Sequence, residues 1–171
     1  MVKKALEVTK RDLNDLEQYG RRDCVEIHGI PQEIDENVEK LVTKTGLALD
    51  IELEARDIQA CHRIGRKQDS PIICKFANRK TPTEFLKARK KAKNPLKGAQ
   101  LGMQDIKSEF RVFINESLTK QNKELMYLVR GKKREVDWKF VWSRNGTIYA
   151  RKNEQSEYLR INNEQDIEKM N

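Results

Sequence analysis

The order of its periodic segments constrains the fold of this chain more than any other feature. Runs that alternate apolar and polar residues, as half-buried strands do, begin near residues 22, 58, 71 and 111. Stretches with helical spacing follow the first and the third run, with Asp35 and Thr81 as predicted N-caps. The order βαββαβ predicts a split-βαβ domain, whose two helices cover one face of a four-stranded sheet and leave the other face open.

The C-terminal third of the chain indicates a second, smaller unit. Residues 138–142 and 147–151 lie on either side of Asn145-Gly146, and Asn-Gly between alternating runs is the strongest short-range signal for a hairpin. A helical stretch precedes the hairpin, and we expect a short strand at 158–161 and a closing helix at 163–170. The predicted fold class is therefore α+β, with a small basic domain over residues 117–171 after a sheet domain over residues 21–116.

The first twenty residues carry a heptad pattern. Its predicted seam has the spacing 4, 3, 4, 3 and consists of Val2, Leu6, Thr9, Leu13 and Leu16. Gly20 is expected to end this helix. Two heptads are too short for an isolated coiled coil, so residues 1–20 are interpreted as the end of a longer oligomerising rod. An amphipathic helix that packs on the following domain is the alternative.

Positive charge is concentrated in two blocks. The chain has 35 Lys and Arg against 27 Asp and Glu, which gives a net charge of +8. Residues 61–98 hold 12 basic and 2 acidic side chains, and residues 111–152 hold 11 and 4. Two such blocks are typical of a protein that follows a phosphate backbone. The charge pattern alone leaves open the alternative of two ordinary solvated faces.

The predicted nucleic-acid contacts are cations within these blocks, two arginines after the first helix, and one tryptophan. They are Arg21, Arg22, Arg63, Arg66, Lys67, Lys75, Arg79, Lys80, Lys132, Lys133, Arg134, Trp142, Arg144, Arg151 and Lys152. For any one of these cations a solvated side chain is the simpler explanation, so the prediction depends on the cluster. Trp142 either stacks a base or belongs to a core. The sheet presents Glu26, Pro71 and Ile73 where RNA-binding sheets carry rings. We therefore expect affinity to depend on phosphate contacts, to fall with salt and to vary little with base sequence.

Catalysis and cofactors are not indicated. The three cysteines Cys24, Cys61 and Cys74 lack CxxC spacing, and Cys61-His62 has no further ligands to complete a zinc site. The sequence contains no HExxH, P-loop or GxSxG motif. We therefore predict no enzymatic activity, no metal and no cofactor. Because no signal peptide or membrane-length apolar run is present, we expect no membrane partner and a cytoplasmic ribonucleoprotein, with the nucleus as a second location.

Motifs along nearly the whole chain resemble one family. In order, they occupy residues 16–22 (LEQYGRR), 25–31 (VEIHGIP), 61–65 (CHRIG), 71–76 (PIICKF), 112–118 (VFINESL) and 141–146 (VWSRNG). Together they are similar to the first-open-reading-frame proteins of LINE-class (non-LTR) retrotransposons, and equally to the baculovirus few-polyhedra protein.

This resemblance implies a homotrimeric coiled coil, a non-standard RNA-recognition motif (RRM) over residues 21–116 and a basic C-terminal domain. Such proteins coat their own transcript in a ribonucleoprotein particle and act as nucleic acid chaperones during target-primed reverse transcription. The implied partners are single-stranded RNA, single-stranded DNA and further copies of the chain. The contacts that the resemblance implies are Arg63, Lys75, Arg79, Arg144 and Arg151.

One position departs from the family pattern. Its trimer signature has an arginine directly before a seam residue, where this chain has Asp12 before Leu13, although the later glutamate is kept as Glu17. Trimerisation is therefore implied by the family alone. A second function also stays open, that of a structural or assembly protein of the few-polyhedra type whose sheet face binds a protein partner.

Overall fold

The computed structural model describes residues 1–65, 67 and 69–171, and it divides into two compact units. One unit is Asp23–Ser117, and the other combines Met1–Arg22 with Leu118–Asn171. Both mix helices with antiparallel sheet, which confirms the predicted α+β fold class. Across the described residues, no helix combines the length and apolar character needed to cross a membrane.

The secondary structure comprises the following elements in the described residues. The helices are α1 (Val2–Gly20), α2 (Val38–Leu47), α3 (Lys80–Lys91), α4 (Lys120–Glu135) and α5 (Glu164–Ile167). The strands are β1 (Cys24–His28), β2 (Ile58–Arg63), β3 (Ile72–Phe76), β4 (Leu96–Lys97), β5 (Arg111–Glu116), β6 (Phe140–Arg144), β7 (Thr147–Arg151) and β8 (Tyr158–Ile161).

The unit Asp23–Ser117 contains a five-stranded antiparallel sheet in the order β2-β3-β1-β5-β4. Strand alternation sends one set of side chains into the core, and Val42 of α2 and Phe85 of α3 pack against them. The buried strand residues are Val25, Ile27, Ile72, Cys74, Phe76, Leu96, Val112 and Ile114. The four predicted strands are present, and the two-residue β4 is an addition that the sequence pattern did not indicate.

Neither helix of this unit is capped by the residue expected from the sequence: Asn37 is the N-cap of α2, and Arg79, preceded by Asn78, is that of α3. The Asn37 side chain accepts a hydrogen bond from the Lys40 amide at 2.8 Å, and the Asn78 side chain accepts from the amides of Lys80 and Thr81. The caps predicted at Asp35 and Thr81 are therefore wrong. Asp35 has φ 58°, whereas an N-cap residue is usually extended, and Thr81 already lies inside α3.

The sheet face opposite this core is closed at its centre. Glu26 of the central strand is only 1% exposed, accepts a hydrogen bond from the Ser117 hydroxyl at 3.1 Å, and lies 3.3 Å from His28 Nε2. Lys75 and Phe113, on the strands that flank β1, are partly exposed. The expectation of an open sheet face therefore applies to these flanking strands and not to the centre.

The second unit packs α4 and α5 against one face of the three-stranded sheet β6-β7-β8. Its core is built around Val129 of α4 and the β7 residues Ile148 and Ala150. Trp138 lies at the edge of this core, and its indole Nε1 donates to the main-chain oxygen of Asn171 at 3.2 Å.

Helix α1 belongs to this second unit by its contacts. The Gln18 side-chain oxygen accepts from the Thr119 amide at 2.9 Å, and the Thr119 hydroxyl donates to Asn14 at 2.7 Å. The predicted seam nevertheless stays exposed along its whole length. The seam is therefore available for a coiled coil, which stays a prediction. The alternative, an amphipathic helix packed on the following domain, differs from the structure, where the polar side of α1 contacts Thr119 and Asn122 of the C-terminal segment.

Candidate nucleic-acid interface

The strands of the second unit separate apolar from functional side chains by strict alternation. Val141, Ile148, Ala150, Leu159 and Ile161 point into the core. The other strand face, named here the aromatic–arginine face, consists of Phe140, Trp142, Arg144, Thr147, Tyr149, Arg151, Tyr158 and Arg160. It carries four rings, three guanidinium groups and no carboxylate. All the aromatic residues and all the arginines of these three strands are therefore on one side.

The register of the strands arranges six residues of this face in two cross-strand rows of three, and Arg144 is paired with Thr147 beside them. Trp142 is the partner of Tyr149 on β7, and Tyr149 in turn is the partner of Arg160 on β8. In the second row, Phe140 is the partner of Arg151, which faces Tyr158. Each row thus places rings and a guanidinium group on adjacent strands, within reach of one another.

The rings of Trp142, Tyr149 and Tyr158 contact one another. The centroids of Trp142 and Tyr149 are 5.6 Å apart with the planes inclined by 19°, which is a stacked arrangement. Tyr158 meets Tyr149 edge-on at 5.5 Å and 83°. Tyr158 is 65% exposed and Phe140 is 38% exposed. The result is a supported aromatic surface with free ring area on which planar groups can stack.

The three arginines are oriented differently. Arg151 Nε donates to the Ser156 main-chain oxygen at 2.8 Å, and Arg160 Nε donates to Asn162 at 2.9 Å. Each bond uses one of the five N–H groups of a guanidinium, so it orients the group without saturating it. Arg144 is exposed and makes no hydrogen bond or ion pair with the part of the chain that the structure describes.

The hairpin that brings β6 and β7 together depends on its Asn-Gly turn. Asn145 has φ 53° and Gly146 has φ 80°, the left-handed values that a two-residue type I′ turn requires. A Cβ atom at position 146 would also collide with the Gln18 side chain. The predicted hairpin is confirmed, and Gly146 is needed there for both its backbone angle and its lack of a side chain.

Three other predicted contacts of this unit lie away from the aromatic–arginine face. Lys132, Lys133 and Arg134 are on α4, which packs on the core side of the sheet. Arg21 is paired with Glu17 at 2.7 Å, and Arg22 stacks over the Tyr19 ring at 4.8 Å from its centroid.

Lys152 follows the end of β7. Its Nζ donates to the main-chain oxygen of Asn171 at 2.9 Å, and its own main-chain oxygen accepts from Lys139. Both contacts tie the end of β7 to neighbouring segments of the same unit.

Arg63 of the first unit is used internally. Its Nε and Nη2 form a two-pronged pair with the Glu36 carboxylate at 2.8 and 2.7 Å. The remaining three N–H groups donate to the main-chain oxygens of Ile30, Pro31 and Ser70. All five N–H groups are therefore taken, and a phosphate would have to displace one of these partners.

The remaining predicted cations of the first unit lie on different layers. Lys75 is on the sheet face away from the core, 3.9 Å from Asp23. Arg79 and Lys80 lie at the start of α3 on the opposite layer, and Lys80 is 3.7 Å from Glu84. Lys67 is exposed. The prediction for Arg66 falls outside the described residues.

Sequence reasoning found Trp142, Arg144 and Arg151 on the aromatic–arginine face but missed its other members. These are Phe140, Tyr149, Tyr158 and Arg160. The signal for two of them was available, because Phe140 is in phase with Trp142 on β6 and Tyr149 is in phase with Arg151 on β7. For Tyr158 and Arg160 no such signal existed, because the sequence does not show how β8 aligns with β7.

Buried Cys74 and partly buried Cys61 have the electrostatics of structural residues. Burial raises the pKa of Cys74, and of Cys61 beside it on β2, so both thiols stay protonated near neutral pH. A protonated, buried thiol is a poor nucleophile.

Comparison with known families finds a match in the C-terminal part of the chain. Residues 119–171 match the family described as baculovirus FP protein domain 2. The matched segment contains α4, the whole three-stranded sheet and α5, and thus all eight residues of the aromatic–arginine face. No curated protein matches the sequence.

Proposed function

We propose that this protein binds single-stranded RNA with little base preference and packages retrotransposon RNA as a nucleic acid chaperone. The observation that carries the proposal is the aromatic–arginine face, where four rings and three guanidinium groups share one side of a sheet. Proteins that bind single strands combine cations for the phosphates with rings on which bases stack. In this proposal the chain is a LINE-class first-open-reading-frame protein, not an enzyme, and works in a cytoplasmic ribonucleoprotein that also enters the nucleus.

The chemistry of the face favours single strands over duplexes. In a duplex both faces of each base are covered by its neighbours, so a ring on the protein surface has nothing to stack on. An unpaired base can lie against Tyr158 or Phe140 while its phosphate accepts from a nearby guanidinium. Every base has such an aromatic face, which explains the expected tolerance of base sequence.

Self-association through α1 is the second part of the proposal. Leu6, Leu13 and Leu16 form an exposed apolar stripe on a helix, and burial against further copies, in the proposed trimer, removes that surface from water. Several copies in one particle also raise the effective concentration of binding faces along one RNA, which increases avidity without new contacts.

The stripe leads to a specific expected result. Replacing Leu13 by Asp places a charge in the seam and is expected to convert oligomer to monomer, as measured by sedimentation equilibrium. Lys4→Asp is the control, because position 4 lies about 180° around the helix from position 13 at about 100° per residue. Equal masses for wild type and Leu13→Asp would contradict self-association through this stripe.

The proposed RNA binding is tested by fluorescence anisotropy with single-stranded RNA, single-stranded DNA and duplex at 50 and 200 mM salt. If only the three arginines of the face contact phosphates, affinity for single strands is expected to fall about 20-fold between these conditions, from a slope of about −0.7 per contact. Duplex is expected to bind more weakly than single strands at both salt concentrations. A flat salt response, or a preference for duplex, contradicts the proposal.

The family match favours one alternative function. Baculovirus FP protein domain 2 is the family that residues 119–171 match, and this fits a structural or assembly protein of the few-polyhedra type. Tryptophan, tyrosine and arginine are also the residues most enriched at protein-binding hot spots, so the same face suits a protein partner. Purification without nucleic acid, together with a flat titration, favours this alternative.

A further inference from the structure

A polar cluster joins α1 to the turn of the β6–β7 hairpin. It consists of Asn14 and Gln18 from α1, Thr119 and Asn122 at the start of α4, and Gly146 in the turn; we name it the α1 latch. All five residues belong to the same compact unit.

The hydrogen bonds of the α1 latch form a connected network. The Gln18 side-chain oxygen accepts from the Thr119 amide at 2.9 Å and from Asn122 Nδ2 at 3.0 Å. Asn122 Nδ2 also donates to the main-chain oxygen of Gly146 at 3.1 Å, and Asn122 Oδ1 accepts from Asn14 at 3.1 Å. Gln18 is buried, and a buried amide that loses such partners is costly, so the network selects one arrangement of its elements.

The α1 latch acts on the turn that carries the aromatic–arginine face. Gly146 lies two residues from Arg144, the last residue of β6, and three from Tyr149, the middle residue of β7. The Gln18 side chain also occupies the space that a Cβ at Gly146 would need. Both a hydrogen bond and direct packing therefore link α1 to this turn.

The seam and the α1 latch lie on different sides of the same helix. At about 100° per residue, Asn14 points about 120° and Gln18 about 160° away from the middle of the stripe formed by Leu6, Leu13 and Leu16. Self-association through the stripe thus leaves the latch in place. A single helix can bind further copies on one side and hold the hairpin on the other.

We infer that Gln18 and Asn122 are positioning residues, through which the self-associating helix α1 holds the β6–β7 turn and so orients the aromatic–arginine face. This inference rests on the proposed function for the meaning of that face. Helix α1 is then part of the binding unit and has a fixed orientation relative to the sheet β6-β7-β8. It is not a flexibly connected oligomerisation helix.

Hydrogen exchange in the full chain tests the latch directly, without RNA. In Gln18→Leu the Thr119 amide loses its acceptor, and its exchange is expected to become about three- to tenfold faster, the factor that corresponds to one hydrogen bond. Gln18→Glu keeps an acceptor oxygen and is expected to retain protection. Leu13→Ala changes only the seam, so the Thr119 amide is expected to keep its protection in this variant as well. Unchanged exchange in Gln18→Leu overturns the inference.

A double-mutant cycle supplies a second test, which does not depend on the folding of Gln18→Leu. Gly146→Ala is expected to destabilise the protein because its Cβ collides with Gln18 and its backbone angle is left-handed. Adding Gln18→Ala removes the collision, so the double variant is expected to be more stable than the sum of the single effects predicts. Strictly additive effects overturn the proposed contact.

RNA affinity separates the positioning role from a purely structural one. Gln18→Leu is expected to weaken binding of single-stranded RNA about three- to tenfold at a temperature where the chain stays folded, and Gln18→Glu is expected to restore it. Faster Thr119 exchange with unchanged affinity overturns the positioning role. If wild type binds no RNA, the proposed function fails, and exchange and the cycle still decide whether α1 holds the turn.

Discussion

Replacing Arg63 by alanine is expected to lower the free energy of unfolding of the Asp23–Ser117 unit by about 3–5 kcal/mol. The cause is the set of partners left behind: the nearly buried Glu36 carboxylate loses its counter-charge, and three main-chain oxygens lose their donor. Chemical denaturation followed by circular dichroism measures the change.

A matched arginine provides the control for this result. Arg56 is also paired with a glutamate, Glu54, at 2.9 Å, but both side chains are largely exposed. Exposed pairs contribute little, so Arg56→Ala is expected to change the unfolding free energy by less than about 1 kcal/mol. Equal effects of the two substitutions would show that the Arg63 network does not stabilise this unit.

The Arg63–Glu36 pair also predicts that the stability of this unit depends on pH. Hydrogen bonds from Arg63 hold the pKa of Glu36 below its ordinary value of 4.5, and burial opposes this only in part. Because the folded pKa is the lower one, the pair contributes full stability above about pH 4.5 and loses it as the pH falls through the folded value. Glu36→Gln removes this titration, so its stability is expected to fall less than that of wild type over the same acid range.

Arg63 also shows why a charge pattern predicts a binding surface incompletely. It lies in the first basic block, whereas its partner Glu36 lies 27 residues earlier in an acidic stretch. No local spacing reveals that these two side chains meet, because the contact arises only when β2 packs beside the loop before α2. A count of basic residues therefore includes cations whose hydrogen-bonding groups are already used within the folded unit.

The fold was more predictable than the site because alternation and helical spacing are local signals. The order of the strands β1, β2, β3 and β5 followed from them, and the turn at Asn145-Gly146 followed from local backbone preference. The two residues of β4 are too few to show a period. The prediction of the helix caps failed for a similar reason. Several polar residues precede each helix, and the backbone conformation of that segment determines which side chain reaches a free amide.

The aromatic–arginine face shows the same division between local and long-range information. Trp142 and Arg144 alternate visibly on β6, so part of the face was accessible from the sequence. Tyr158 and Arg160 enter it only because β8 aligns with β7, and this register is a property of the folded sheet. The role of Gln18 likewise depends on where α1 docks, which its heptad pattern does not contain.

Replacing Tyr158 by alanine is expected to weaken binding of single-stranded RNA by about 1–3 kcal/mol, or roughly 5- to 150-fold, because one stacked base loses its platform. The ring is 65% exposed and lies at the end of the three-ring cluster, so its removal leaves little cavity. Tyr127→Ala is the matched control, since Tyr127 is 73% exposed but lies on α4, on the core side of the sheet.

Salt separates the contribution of the rings from that of the guanidinium groups. Tyr158→Ala removes stacking alone, so its affinity is expected to be lower at every salt concentration with an unchanged slope. Arg144→Gln removes a phosphate contact, and its slope is expected to be shallower by about 0.7. Stacking and phosphate binding on one face require both results together. In a protein that only attracts polyanions, Arg144→Gln would still reduce the salt dependence of binding, but Tyr158→Ala would leave the affinity unchanged. Equal affinities for Tyr158→Ala and Tyr127→Ala would therefore exclude base stacking on this sheet.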